Sequence, residues 1–163
     1  MKEQRHTLLF NDEITWEAVQ ELIDNMGNYY DIDLFFSTNG GSPCAMEALL
    51  NYLNWRKDHV TIHLTDRVCS TGVDILLDFE GEIILSKNLD YLIFHIADRS
   101  LYTLRTSFEY KELVKQLQIE NESDIANLRG LGLNEAELKK YKSGKDVILY
   151  RKDFHRLNIN KSK

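Results

Sequence analysis

The sequence of 163 residues predicts an α/β domain built on a mostly parallel sheet. Three observations predict it. Short runs rich in β-branched and aromatic residues recur through the first hundred residues, segments of helical periodicity separate them, and a single proline, Pro43, interrupts the chain. The length suits one domain with one core.

In chain order, residues 7–10 read as the first strand. Residues 15–26 place Trp16, Val19, Leu22, Ile23 and Met26 on one helical face. Residues 32–37 form the second strand, and residues 45–55 a second helix with Leu49, Leu50, Leu53 and Trp55 inward. A third strand over residues 60–64 precedes an apolar stretch at 73–79. Residues 83–85 and 91–96 read as two further strands. Strand and helix alternating at this length imply right-handed βαβ crossovers, and in such sheets ligands bind beyond the carboxyl ends of the strands.

After Ile96 the texture becomes helical and polar. Phe108, Leu113, Val114 and Leu117 mark one helix face; residues 134–141 form another helix, with Asn134 as N-cap and Glu137 completing a capping box, ended by Gly144. Residues 146–149 are extended and residues 151–157 make a helical turn. The narrow apolar stripe between residues 101 and 142 predicts a segment that projects and finds its partner in another subunit, with packing back on the sheet as the alternative.

Composition excludes several classes. Hydrophobic residues are 43% and charged residues 28%, which fits neither a disordered chain nor a membrane protein. No apolar run approaches the ~20 residues that span a bilayer, and the start lacks the apolar region of a signal peptide, so a cytoplasmic protein is expected. Cys44 and Cys69 read as free thiols serving as small core residues. With 20 basic against 26 acidic residues, the net charge of -6 argues against sequence-independent nucleic-acid binding. The basic clusters Arg151-Lys152 and Lys161-Ser162-Lys163 read as a solvated tail, nucleic-acid contact being the lesser alternative.

Three strand ends carry chemistry. Ser37-Thr38-Asn39-Gly40-Gly41-Ser42 follows the second strand, and paired glycines let backbone amides approach a ligand. Alone, such a pair is most often only a turn. Thr65-Asp66-Arg67-Val68-Cys69-Ser70-Thr71-Gly72 follows the third strand and sets Ser70 at a strand-to-helix junction; alone, it reads as an N-cap serine. The last of the three strands delivers His95, which in isolation reads as a satisfied core histidine. His6 and His59 read as exposed, His63 lies within a strand and His155 in the C-terminal turn. None has metal-ligand spacing, so neither a metal nor another cofactor is expected.

Taken together, these motifs resemble the Clp protease proteolytic subunit, of the crotonase-like fold. The family's Ser-Pro-Gly-Gly turn is matched by Thr38-Asn39-Gly40-Gly41, its Gly-x-Ala-Ala-Ser-Met-Gly by Asp66 through Gly72, its strand ending in His by Ile93-Phe94-His95, and its Asp-x-x-Leu by Asp146-Val147-Ile148-Leu149. The alignment continues to Ile159, with Asp153-Phe154 where the family has Glu-Ala and Asn158 where it has Gly. The resemblance covers nearly the whole chain.

It implies a repeated ββα-type spiral in a single domain, with a head over residues 1–100 and 143–163 and a projecting handle over 101–142. It also implies a serine endopeptidase in which Ser70 is the nucleophile, His95 the general base and then acid, and Asp146 the carboxylate that orients the imidazole. Asp153 and Asp98 remain alternative acids. The amides of Gly41 and Thr71 would form the oxyanion hole, and Gly40 and Ser42 would contact substrate. The implied substrate is unfolded polypeptide, and the implied partners are further copies of the chain in stacked rings of six or seven and an AAA+ ATPase unfoldase. The short segment before Thr7 leaves open a particle without an ATPase-gated pore.

The departures carry their own expectations. Asn39 in place of proline relaxes the turn, Arg67 adds charge near the nucleophile, Asp66 replaces a glycine, and Val68-Cys69 narrows the pocket. Two other readings stay open: a catalytically silent scaffold or regulatory subunit, and a crotonase-like acyl-CoA enzyme.

Overall fold

The computed structural model describes residues 5–96 and 107–159. Asp98, residues 101–106 and the Lys161-Ser162-Lys163 cluster lie outside the described residues, as do the side chains of Phe108, Leu113, Val114 and Leu117. The order of elements is β1 (His6–Asn11), α1 (Trp16–Met26), β2 (Ile32–Thr38), α2 (Pro43–Trp55), β3 (Val60–Cys69), a 3-10 turn (Ser70–Val73), α3 (Asp74–Asp78), β4 (Glu82–Phe94), α4 (Ser107–Leu131), α5 (Glu135–Lys142), β5 (Val147–Tyr150) and a second 3-10 turn (Arg151–Arg156). The sheet runs β1-β2-β3-β4-β5, its first four strands parallel and β5 antiparallel to β4. This is the α/β class with a mostly parallel sheet.

The register makes the sheet two-sided. Leu8 pairs with Leu34, Leu34 with Ile62 and Ile62 with Ile83, while Phe10 pairs with Phe36 and Phe36 with Leu64. These side chains share one face because side chains alternate along a strand. They join Val19, Leu22 and Met26 of α1 and Met46, Leu49 and Leu53 of α2 in one core. The opposite face carries the rows Leu9-Phe35-His63-Ile84 and Thr7-Asp33-Thr61-Glu82. There, Leu9 is 76% exposed.

Caps start the helices where the side-chain chemistry dictates. Thr15 accepts the Ala18 N–H, Ser42 accepts that of Ala45 with Pro43 in the first turn, and Asn134 and Glu137 exchange the two bonds of a capping box. In α5 the last turn is basic, with Lys139, Lys140 and Lys142 facing the negative end of the helix dipole.

Four expectations need correction. Trp16 and Trp55 do not join the buried faces of their helices: they are 56% and 79% exposed. Each stands at a helix end, beyond the stripe that meets the sheet. Residues 83–85 and 91–96 are not separate strands, because β4 runs unbroken through the polar stretch between them, pairing first with Thr61 to Leu64 and then with Asp66 to Cys69. For the same reason β3 continues to Cys69, with irregularities on both sides of Asp66 where the two pairings join. Cys44 is exposed in the first turn of α2, whereas Cys69 is buried; both are free.

Within the helical region, Ile125, Leu128 and Leu131 of α4, Leu133 in the following turn, and Leu138 and Tyr141 of α5 belong to the main core. Earlier in α4 the described side chains of Glu112, Lys115, Gln116, Gln118 and Ile119 are exposed. Arg156 clasps the turn after α4, donating to the Gly132 carbonyl at 2.7 Å and to both oxygens of Glu137. Among the described residues no helix is long and apolar enough to cross a membrane.

Candidate active site

Sheet register assembles the site. Thr38 pairs with Val68, which puts the turn after β2 level with the end of β3. Cys69 pairs with Ile93, so Ser70 and His95 leave adjacent strands at neighbouring heights. In the antiparallel pair, Ile93 faces Ile148 and Phe94 faces Val147; one step further along the same register, His95 faces Asp146. Four segments separated widely in sequence thus converge at one end of the sheet.

Ser70 Oγ lies 2.8 Å from His95 Nε2, a full hydrogen bond. His95 Nδ1 is 3.7 Å from Asp146 Oδ1, an ion-pair approach longer than a hydrogen bond, and both side chains are open to solvent at 39% and 60% exposure. Bonds of this kind often tighten only once substrate is bound. Asp153, the alternative acid within the described residues, is otherwise engaged: its Oδ2 accepts the Tyr150 N–H at 3.1 Å and caps the second 3-10 turn.

The backbone around Ser70 is sharply bent. Ser70 has φ of 56° and Asp66 a φ of 49°, both in the left-handed region that non-glycine residues rarely occupy. Asp66 thus takes a glycine-like conformation, which among other residues a short polar side chain tolerates best. Gly40 and Gly41 are left-handed too, with φ of 104° and 148°. Contact makes both necessary: a Cβ on Gly40 would sit 2.5 Å from Ser70 Cβ, and one on Gly41 would sit 2.4 Å from the Ile14 carbonyl oxygen.

Ile14 explains how the turn presents its amide. It forms a parallel bridge opposite Gly41, in which the Ile14 N–H donates to Gly40 O and the Ile14 oxygen accepts the Ser42 N–H, both at 2.8 Å. Such a bridge uses the neighbours of Gly41 and leaves the N–H of Gly41 itself facing away from Ile14. Thr71 is the second residue of a 3-10 turn, where N–H groups have no partner within the helix. Its Oγ1 donates to Gly41 O at 3.4 Å, so the two amide-bearing segments touch. At Gly40 and Ser42 the recorded bonds run inside the protein: the Gly40 N–H goes to Thr38 Oγ1 at 3.0 Å, and the Ser42 hydroxyl caps α2.

Val68 and Cys69 are buried, so their side chains pack inward. Burial pushes the Cys69 thiol up despite the opposing charge of Arg67, which keeps it protonated and a poor nucleophile beside Ser70. Beyond the 3-10 turn, the Asp74 carboxyl is raised to about 7 by burial and by the like charges of Asp78 and Asp124. Tyr141 is pushed up to about 12 by burial and by Asp124 and Asp74. Among the described residues no group of three or more His, Cys, Asp and Glu side chains is placed to hold a metal ion.

Two contributors escaped the sequence reading. Ile14 carried no signal beyond apolarity, and its part in the turn arises only from pairing across the fold. Asn39 was expected to loosen the turn, yet its Oδ1 accepts a 2.5 Å hydrogen bond from Arg67 Nε. Asn39 and Arg67 were each visible along the chain, but nothing in one dimension pairs them. Compared with known families and with curated proteins, the sequence matches no family model and no curated protein.

Proposed function

We propose that the chain is a serine endopeptidase resembling the Clp protease proteolytic subunit, with a crotonase-like spiral and a handle formed from the α4 region. The observation that carries this reading is the 2.8 Å contact of Ser70 Oγ with His95 Nε2, backed by Asp146 on the other ring nitrogen. The chemistry follows the triad template. Ser70 Oγ attacks the substrate carbonyl carbon while His95 Nε2 takes its proton. The oxygen that becomes negative is met by the Gly41 and Thr71 N–H groups, and Asp146 stabilises the imidazolium. The C–N bond then breaks as His95 returns the proton to the leaving amine, and water, activated by the same imidazole, releases the acyl group.

Unfolded polypeptide suits a site so open to solvent, because an extended chain is recognised through its backbone. Self-association into rings accords with the second sheet face, where Leu9 and Ile84 are 76% and 38% exposed beside Phe35. Delivery by an AAA+ unfoldase and a reducing cytoplasm belong to the same proposal, the latter suited to two free thiols.

A fluorophosphonate probe tests the reading, since the serine oxygen must attack phosphorus and expel fluoride. Labelling of the unaltered protein is expected to fall at least ~1000-fold in Ser70→Ala with unfolding midpoints matched. Equal labelling of the two proteins sinks the proposal.

A further inference from the structure

We infer that Arg67 is a positioning residue for the oxyanion-binding turn, acting through Asn39; this rests on the serine-peptidase reading of the site. An oxyanion hole built from Gly41 and Thr71 draws its donors from two chain segments, one after β2 and the other after β3. Both N–H groups must reach the same oxygen at about 3 Å, so the spacing between the two strand ends has to be held.

The turn after β2 has two kinds of anchor. Ile14 and Thr38 fix it to its own side: Ile14 through the bridge, and Thr38 Oγ1 by accepting the Gly40 N–H while donating to Asp12 O at 2.7 Å. Toward the segment that bears the nucleophile, Thr38 pairs with Val68 and the Thr71 hydroxyl donates to Gly41 O. Arg67 adds the side-chain tether that reaches Asn39 itself. Its Nε donates to Asn39 Oδ1 at 2.5 Å, and its carbonyl accepts the Ser37 hydroxyl at 3.3 Å, so it meets the β2 end at two points three residues before Ser70.

Local backbone geometry aims it there. The left-handed Asp66 and the register shifts on either side make a bulge, and bulges redirect the side chain that follows. Asn39 needs such a tether because, unlike proline, it leaves φ free. Asn39, which stands where the family pattern has proline, and Arg67 are therefore partners: a cross-strand hydrogen bond supplies the stiffness that a pyrrolidine ring would supply locally.

The test separates oxyanion stabilisation from nucleophilicity and from charge. Arg67→Met and Asn39→Ala are each expected to slow fluorophosphonate labelling and to lower kcat on p-nitrophenyl acetate about tenfold, with KM within about twofold. Asn39→Ala keeps the guanidinium, so an equal loss in both variants assigns the effect to the bond rather than to the charge. The double variant is expected to be no slower than either single one, because both remove the same contact. Asn39→Asp preserves the acceptor and is expected to stay within about twofold of the unaltered protein. In a Ser70→Cys background that also carries Cys44→Ser, so that the exposed Cys44 thiol does not react, alkylation by iodoacetamide forms no oxyanion and is expected to be unchanged by Arg67→Met.

Additive losses, or alkylation slowed in parallel, overturn the positioning role, as does labelling that is Ser70-dependent but indifferent to both changes. If Arg67→Met fails to fold, the exposed Asn39 variants carry the comparison alone. Labelling that does not depend on Ser70 overturns the peptidase reading and this inference with it.

Discussion

At the amino ends of the parallel strands, arginines hold backbone carbonyls; at the carboxyl ends, the chain turns through left-handed residues. Arg56 donates to the carbonyls of Met26, Tyr29 and Tyr30 at 2.7, 2.5 and 2.7 Å, locking the entry to β2. Arg5 bridges the Ile32 carbonyl, Thr61 Oγ1 and Asp33 at 2.7, 2.8 and 3.0 Å, and His59 pairs with Asp31 at 3.0 Å. At the other end Asp66, Ser70, Gly40 and Gly41 all have positive φ, and the side chains of Ser70 and His95 meet in the open. The difference teaches where the fold stores strain: beside Ser70 and His95, while satisfied polar contacts at the far end help hold the sheet that bears it.

The comparison is broken most directly at Gly40. Gly40→Ala forces a Cβ against Ser70 at a positive φ, so it is expected to cost about 3 kcal/mol of stability in urea unfolding and to abolish Ser70 labelling in the fraction that remains folded. A stability change below about 1 kcal/mol would show that the turn relaxes freely. Arg56→Ala addresses the opposite end. It removes the Arg56 bonds from three carbonyls, of which that of Met26 keeps the Tyr29 N–H, and is expected to cost about 2 kcal/mol in the same unfolding measurement, with the labelling rate of the folded protein unchanged. Slower labelling in that variant would show that the two ends are coupled.

Asp74 gives the effect that depends most sharply on pH. Its folded carboxyl, near pH 7, lies above its ordinary value, so the folded state holds a proton that the unfolded chain has already released. Stability therefore falls as pH rises from about 4 to about 7 and levels off above that. Among the described residues, Asp78, Asp124 and Tyr141 are the titratable groups that interact with it. Replacing the carboxyl in Asp74→Asn is expected to stabilise the protein at pH 8 and to add almost nothing at pH 4, read from paired unfolding curves. A gain of equal size at both pH values would point to packing instead.

Much of this was legible along the chain, for identifiable reasons. Strands β1 and β2 and helix α5 could be read because alternation, helical periodicity and a capping box are local signals, present within a dozen residues. Strand β4 was read as two because its middle, Ser86 to Asp90, is polar, and only its neighbour β3 shows that this stretch is paired. Trp16 and Trp55 were misplaced because periodicity marks a face but not how far the partner surface extends beneath it. Ser70, His95 and Asp146 were named from ordered motifs, yet their spacing in the sequence says nothing of distance. The pairing of His95 with Asp146 comes from the antiparallel register of β5.

By itself the sequence determined the class of fold and most of its elements, because those depend on side-chain chemistry read over short spans, while Ser70, His95 and Asp146 were named only through the resemblance of ordered motifs to a family. Only the tertiary structure decided the left-handed turn at Ser70, the bridge through Ile14, the tether from Arg67 to Asn39 and the exposure of Asp146. Each of these is a relation between segments brought together by strand pairing, where geometry is set by neighbours far away in the chain. A residue's chemistry is local, whereas its partner is chosen by the register of the sheet.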